Sequence, residues 1–323
     1  MAVEKTVVVP VDPDEAFAML TDPERLRRWQ AVTARVDLRV GGEYRFTIVP
    51  GHSAAGTIEE VEPGKRLVYT WGWEGDDDLP PGASVVTITL EPTDEGTEIR
   101  LVHEGLNDEQ SASHGVGWDH YLGDRLVALC RTGVSTADEW AAPESYDPQT
   151  AAEASAAVCM HVLRGVSLED GIAATPCAKF DVDGVVTHLL GSIAVLGSAA
   201  GPAISARDSG AYEDRVAEAS GPALEAWAER GVDGTVHLGS GEVPAALPLG
   251  ILAIEFLVHA WDCAVATKQE CQVNDALAGY VLEQARGIIK PEARDGDQFA
   301  DEVPVSDAAL SFERLIAFTG RAA

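Results

Sequence analysis

The hydrophobic pattern of this chain changes period once, and that change limits the fold more than any other feature. In the first 131 residues, apolar side chains recur at every second position. Tyr44, Phe46 and Ile48 fall on one face of a strand; Leu67, Tyr69, Trp71 and Trp73 on one face of another. Val86, Ile88 and Leu90 share a face, and so do Ile99, Leu101 and His103. Alternation with one apolar face indicates a half-covered antiparallel sheet. Turn-forming clusters at 41–42, 63–64, 76–82 and 94–96 separate the runs. Before them, Thr6 to Val11 is a β-rich run. Asp12 to Glu15 then opens one helix, and Thr21-Asp22-Pro23 opens a second that ends near Trp29. From about Glu109, Trp118, Tyr121, Leu122, Leu126 and Leu129 recur at spacings of three and four, which predicts a helix covering the sheet.

Residues 132–149 are rich in Ser, Thr, Ala, Pro and Asp and read as a linker. Beyond them the period becomes helical. Alanine-rich segments at about 150–164, 182–199, 210–229, 246–267, 273–289 and 306–320 predict an antiparallel bundle. A chain of 323 residues is also longer than one core usually supports. The expected fold is therefore α+β, with a sheet-and-helix domain at 1–131, a linker at 132–149 and an all-α bundle at 150–323.

Asp and Glu number 53 against 23 Lys and Arg, a formal charge of −30. Such a surface repels phosphate backbones and anionic lipid, so neither nucleic acid nor membrane is expected as a partner. The five cysteines, at 130, 159, 177, 263 and 271, form no CxxC pair and suggest no disulfide framework. The first residues lack an apolar signal core, and no membrane-spanning helix is expected. Cytoplasm is the expected location.

Glu255 and His259 stand four apart in a segment that is otherwise almost wholly apolar, Leu252 to Ala260. On a helix they lie on one face, about one turn apart. An unpaired charge there is costly, and one shared divalent cation would satisfy both. Asp262, three residues beyond His259, is placed to accept the imidazole N–H. His188, also in an apolar helical stretch that Asp181 or Asp183 can cap, is the best third ligand from another helix. Two imidazoles and one carboxylate compose a catalytic zinc site and equally a non-haem iron site. By spacing alone, hydrogen-bonded core residues remain the competing reading.

Thr175-Pro176-Cys177-Ala178-Lys179-Phe180-Asp181-Val182, followed by Val186-Thr187-His188-Leu189, resembles a signature of the DinB-like superfamily. Glu255 with Phe256-Leu257-Val258-His259-Ala260-Trp261-Asp262 resembles its second signature, and 239–246 the loop leading into it. The similarity is strongest to the metal-binding domain of mycothiol-dependent maleylpyruvate isomerases and covers about 150–323. The resemblance implies a four-helix bundle, and a divalent metal, usually zinc, on His188, Glu255 and His259. It also implies a low-molecular-weight thiol such as mycothiol as cosubstrate. That family's isomerase has a further C-terminal domain not identified in this chain.

Residues 1–131 resemble the SRPBCC, or START-like, superfamily in its heat-shock ATPase activator homologue branch. The resemblance rests on Asp22-Pro23-Glu24-Arg25-Leu26 with Trp29, on Asp37 to Tyr44, on Glu60-Val61-Glu62-Pro63, on Leu67 to Trp71, on His103-Glu104-Gly105-Leu106 and on Trp118, Tyr121 and Leu122. It implies a helix-grip fold with a cavity for a small-molecule ligand. Trp71, Trp73 and His103 would face that cavity, although plain core packing of the two tryptophans and a hydrogen-bonded structural His103 are the favoured readings. His52, His114, His120 and His237 lie in polar or loop contexts and receive no role; His161, in the first bundle helix, is a further candidate to approach the metal. Cys177 is expected to be an inert thiol. The expected function is a metal-dependent small-molecule enzyme, a zinc-assisted thiol S-transferase or isomerase with its apolar substrate in the START-like cavity. A non-catalytic small-molecule binding or sensing protein with a structural or vestigial metal site is the alternative.

Overall fold

A computed structural model describes residues 2–239, 241–294 and 299–322. Strand β1 (Val3–Val9) leads into helices α1 (Pro13–Thr21) and α2 (Pro23–Trp29). Both helix starts are encoded locally. The Asp12 carboxylate accepts the Glu15 N–H at 2.9 Å, Asp22 accepts the Glu24 N–H at 2.9 Å, and a proline follows each cap. Six more strands follow: β2 (Thr33–Val36), β3 (Glu43–Val49), β4 (His52–Glu62), β5 (Arg66–Trp71), β6 (Ser84–Thr93) and β7 (Gly96–Glu104). They make one antiparallel sheet in the order β1-β7-β6-β5-β4-β3-β2.

The residues assigned to the inward faces are buried there, from Tyr44 and Phe46 to Ile99 and Leu101, except Trp73, which lies beyond the end of β5 and is half-buried. Strands β2 and β4 are not among the alternating runs read from the sequence. In β4 the pattern is broken by Ala54-Ala55-Gly56, and the structure shows why a glycine is needed. A Cβ on Gly56 would lie 2.0 Å from the Thr70 carbonyl oxygen. Tyr44, directly opposite Gly56, donates its hydroxyl to that same oxygen at 2.7 Å.

The sheet is covered by one helical run: α3 (Asp108–Trp118), a π-helical stretch (Asp119–Leu126) and α4 (Val127–Thr132). Asn107 and Gln110 form a reciprocal capping box at its start. Trp118, Tyr121, Leu122, Leu126 and Leu129 all join the core of the sheet, as the stripe predicts. The π geometry in the middle is not predicted by that stripe.

The chain divides into two compact units, Met1–Thr136 and Ala137–Ala323, and the division falls within 132–149. That segment is not wholly irregular: Glu139–Ala141 makes a short 3-10 turn. In the second unit, α5 (Pro148–Leu163), α6 (Val182–Ser198), α7 (Tyr212–Arg230) and α8 (Ala246–Thr267) pack in a ring. Helix α5 touches α7 and α8, and α6 touches the same two. Their shared core includes Met160, Leu189, Ile193, Leu224, Trp227 and Phe256. Helices α9 (Asp275–Ile288) and α10 (Ser311–Phe318) pack on each other, and with the opposite side of α8 they enclose Leu257, Val281 and Leu315.

One sequence expectation needs correction here. The second unit is not all-helical, because β8 (Thr235–Leu238) and β9 (Gly241–Pro244) pair as an antiparallel hairpin between α7 and α8. The Gly-Ser-Gly run masks two short strands in which Val236 opposes Val243, and Gly239 turns the chain at φ +61°; Ser240 lies outside the described residues. Helix α8 is also long and apolar enough to cross a membrane by length and composition. It is the central core helix of its unit instead, with most of its side chains buried against α5, α6 and α9.

Candidate metal centre

Helix α6 is set by Asp181, whose carboxylate accepts the Gly184 N–H at 2.8 Å. Asp183 has a different part, accepting from the Tyr212 hydroxyl. Two turns into α6, His188 stacks on Phe180, with centroids 5.3 Å apart and planes 22° apart. Its Nε2 lies 3.0 Å from Oε2 of Glu255 on α8. One turn further along α8, His259 brings its own Nε2 to 3.5 Å from that same oxygen. One ligand atom from each of His188, Glu255 and His259 falls within 4.8 Å of the others, and among the described residues this is the only such group of three or more His, Cys, Asp or Glu. His161 does not join it.

The donor set fits a divalent cation. Ligands around one zinc at about 2.0–2.2 Å stand about 3.3–3.5 Å apart in a tetrahedron, close to the observed 3.0 and 3.5 Å. The His259 Nδ1 meets Oδ2 of Asp262 at 3.0 Å, which turns Nε2 toward Glu255. Asp262 is fully buried and is itself gripped by Arg321 through two hydrogen bonds, Nε to Oδ1 at 2.8 Å and Nη2 to Oδ2 at 2.7 Å. Ser192 on α6 donates to Glu255 Oε2 at 3.1 Å. The His188 side chain is 40% exposed while that of His259 is 7% exposed, so the group is reached from the His188 side.

Electrostatics tie these groups into one network. Burial pushes the Glu255 carboxyl up, but hydrogen bonds from His188 and His259 prevail and hold it well below the usual range. Burial pushes His259 down, and its bonds to Asp262 and Glu255 outweigh that, raising it to about 9. Burial raises Asp262, and His259 and Arg321 together bring it below its ordinary value. The sequence reading misses Ser192, Phe180 and Arg321. For Arg321 the only signal is a need: Asp262, in an apolar helix, requires partners for its buried charge, and nothing in the sequence says which residue supplies them.

The N-terminal unit holds a second cluster. His103 is fully buried; its Nδ1 accepts the Trp118 indole N–H at 3.2 Å, and its Nε2 meets Ser84 Oγ at 2.8 Å. Ser84 in turn donates to the Trp71 carbonyl at 3.0 Å. Trp71 and Trp73 both donate their indole N–H to His114 Nε2, each at 3.3 Å, while His114 Nδ1 bonds the Gln110 carbonyl at 2.9 Å. His114 therefore has a structural part that its polar neighbours in sequence conceal. It ties α3 to the edge of β5. Burial lowers His103 to about 3, helped by the charge of His114, and burial lowers His114 as well. Trp71 and His103 are thus packed core groups, and Trp73 is half-buried beside them.

An antiparallel sheet gripping a helical run, joined to a second and mainly helical unit, defines the class: a mixed α/β protein with an N-terminal helix-grip domain. Residues 10–131 match the family described as Activator of Hsp90 ATPase homolog 1-like protein. The chain belongs to the same family as an uncharacterized protein of Mycobacterium tuberculosis, found in strains CDC 1551 / Oshkosh and ATCC 25618 / H37Rv. The two are 33% identical over 150 residues, 46% of this chain and 82% of the relative. Among solved structures, the chain is similar to an AHSA1-like protein from Rhizobium etli, at 38% identity over 41% of this chain and 82% of that one, with TM-score 0.34. It is also similar to a protein from Chromobacterium violaceum, at 27% identity over 40% and 96%, with TM-score 0.35.

Proposed function

We propose that the second unit is a DinB-like metal-binding bundle of the kind found in mycothiol-dependent maleylpyruvate isomerases, and that it holds one divalent cation, zinc, on His188, Glu255 and His259. The protein is then a metal-dependent small-molecule enzyme, a thiol S-transferase or isomerase, with its apolar substrate carried by the START-like unit and a low-molecular-weight thiol such as mycothiol as cosubstrate. The observation that supports this most is the convergence of three donor atoms from two helices on one point that is open on the His188 side.

A cation bound there supplies positive charge that lowers the pKa of a thiol or water at an open coordination position. The chain's own groups do the rest. Asp262 fixes the His259 tautomer, and Ser192 holds the Glu255 carboxylate from the side opposite His259's helix. Half-exposed His188 and its stacked partner Phe180 border the approach. In an S-transfer the thiol sulfur bonds an electrophilic carbon and the thiol proton leaves with the displaced group or to solvent.

A second reading has its own support. Glu255, His259, Asp262 and Arg321 hydrogen-bond one another in a closed chain and balance their charges without a cation, as a vestigial site in a non-catalytic binding protein would. Elemental analysis of purified protein, followed by conjugation assays with several thiols and a panel of electrophiles, separates the two. Turnover that needs both thiol and metal supports the enzyme. One bound metal without any thiol-dependent turnover supports the binding protein.

A further inference from the structure

Arg321 follows α10 and stands 59 residues from Asp262, yet it is 9% exposed and makes two hydrogen bonds to that fully buried carboxylate. The Asp262 oxygen that accepts Arg321 Nη2 also accepts His259 Nδ1. Both carboxylate oxygens are thus engaged, and the rotation of Asp262 about its side chain is fixed by Arg321. Other contacts dock this part of the chain away from that carboxylate. Leu315 and Ile316 enter the core beside α9, Ser311 N–H bonds Asp275, and Arg294 bonds the carbonyls of Ala300 and Phe318. Arg321 alone among these reaches toward the His188–Glu255–His259 group.

We propose that Arg321 is a positioning residue that couples docking of segment 311–322 to occupancy of the metal site. This rests on the reading that His188, Glu255 and His259 hold a divalent cation. A cation on the outer nitrogen of His259 strengthens the imidazole's Nδ1–H as a donor and favours an Asp262 that is anionic and aimed. The guanidinium keeps it so. Linkage is reciprocal: if Arg321 tightens metal binding, the metal tightens the docking of Arg321 by the same factor.

The test uses the full chain and zinc. Affinity is measured by competition with a chromophoric chelator for the unchanged protein, Arg321→Gln, Arg321→Lys, Asp262→Asn and the Arg321→Gln/Asp262→Asn double variant. Hydrogen exchange of peptides covering 311–322 is followed with and without zinc. Arg321→Gln is expected to weaken zinc by roughly 10-fold or more, the range for groups that orient a ligand, and Arg321→Lys to recover part of it. In the double variant the glutamine should add little to the loss from Asp262→Asn. Zinc should slow exchange in 311–322 of the unchanged protein. That measurement needs no variant, so it decides the matter even if Arg321→Gln fails to fold. Zinc-independent exchange there, or equal zinc affinity in Arg321→Gln, overturns the coupling while leaving the metal site standing. A chain that binds no zinc removes the reading beneath it as well.

Discussion

Trp118 on α3 donates its indole N–H to Nδ1 of His103 on β7 at 3.2 Å, which places the imidazole's own proton on Nε2, toward Ser84. Protonating Nδ1 would break that bond inside a buried aromatic cluster.

Acid should therefore destabilise the N-terminal unit in a defined window. His103 falls from an ordinary 6.5 to about 3 in the folded chain because it is buried. Between those values the unfolded state binds the extra proton, so stability falls as pH falls, with a slope of up to ~1.4 kcal/mol per pH unit for this group. His114 acts in the same direction. Urea unfolding followed by tryptophan fluorescence between pH 7 and 4 measures this, and His103→Gln should flatten the slope. An unchanged midpoint from pH 6.5 to 4.5 would count against the assignment.

His259→Ala should leave the protein without stoichiometric zinc, because a lost ligand cannot be replaced by the groups that orient it. Elemental analysis after gel filtration gives the answer directly. One zinc per chain retained in that variant would remove His259 from the site.

Gly56→Val should destabilise the sheet by about 1–3 kcal/mol or more, since overpacking against backbone forces a strand to move. The added Cβ would meet the Thr70 carbonyl, which also receives the Tyr44 hydroxyl. Equilibrium unfolding checks this, and a loss below a few tenths of a kcal/mol would mean that β4 and β5 have room to part.

Limited proteolysis should cut first within 137–147. Most side chains there are exposed, and the only regular structure is a single 3-10 turn. Fragments from that cut should remain folded, as far-UV circular dichroism of each would show. First cleavage inside β3–β7 or α5–α8 would contradict this.

Much of the fold can be read from local chemistry. Asp12, Asp22 and Asp181 cap where their positions suggest, and the period-two faces of β6 and β7 are the buried ones, while in β3 Arg45 and Thr47 and in β5 Val68 are buried on the other face as well. Strand β4 and the β8–β9 hairpin escape because glycine and alanine interrupt their alternation, and the need for Gly56 is visible only once Thr70 and Tyr44 are beside it. The same limit applies to the site. Glu255, His259 and Asp262 share one helix and declare themselves by spacing. Ser192 and Arg321 reach them from other elements, 63 and 59 residues away. No local pattern records such distances.

The π-helical stretch at Asp119–Leu126 bears on ancestry. Such turns carry more residues per turn than the α-helix that flanks them, as a one-residue insertion into an older α-helix would leave behind. The helical run keeps Trp118, Tyr121, Leu122, Leu126 and Leu129 in the core across this change of pitch, whereas losing one residue from β6 would turn Ile88 and Leu90 to the other face of the sheet.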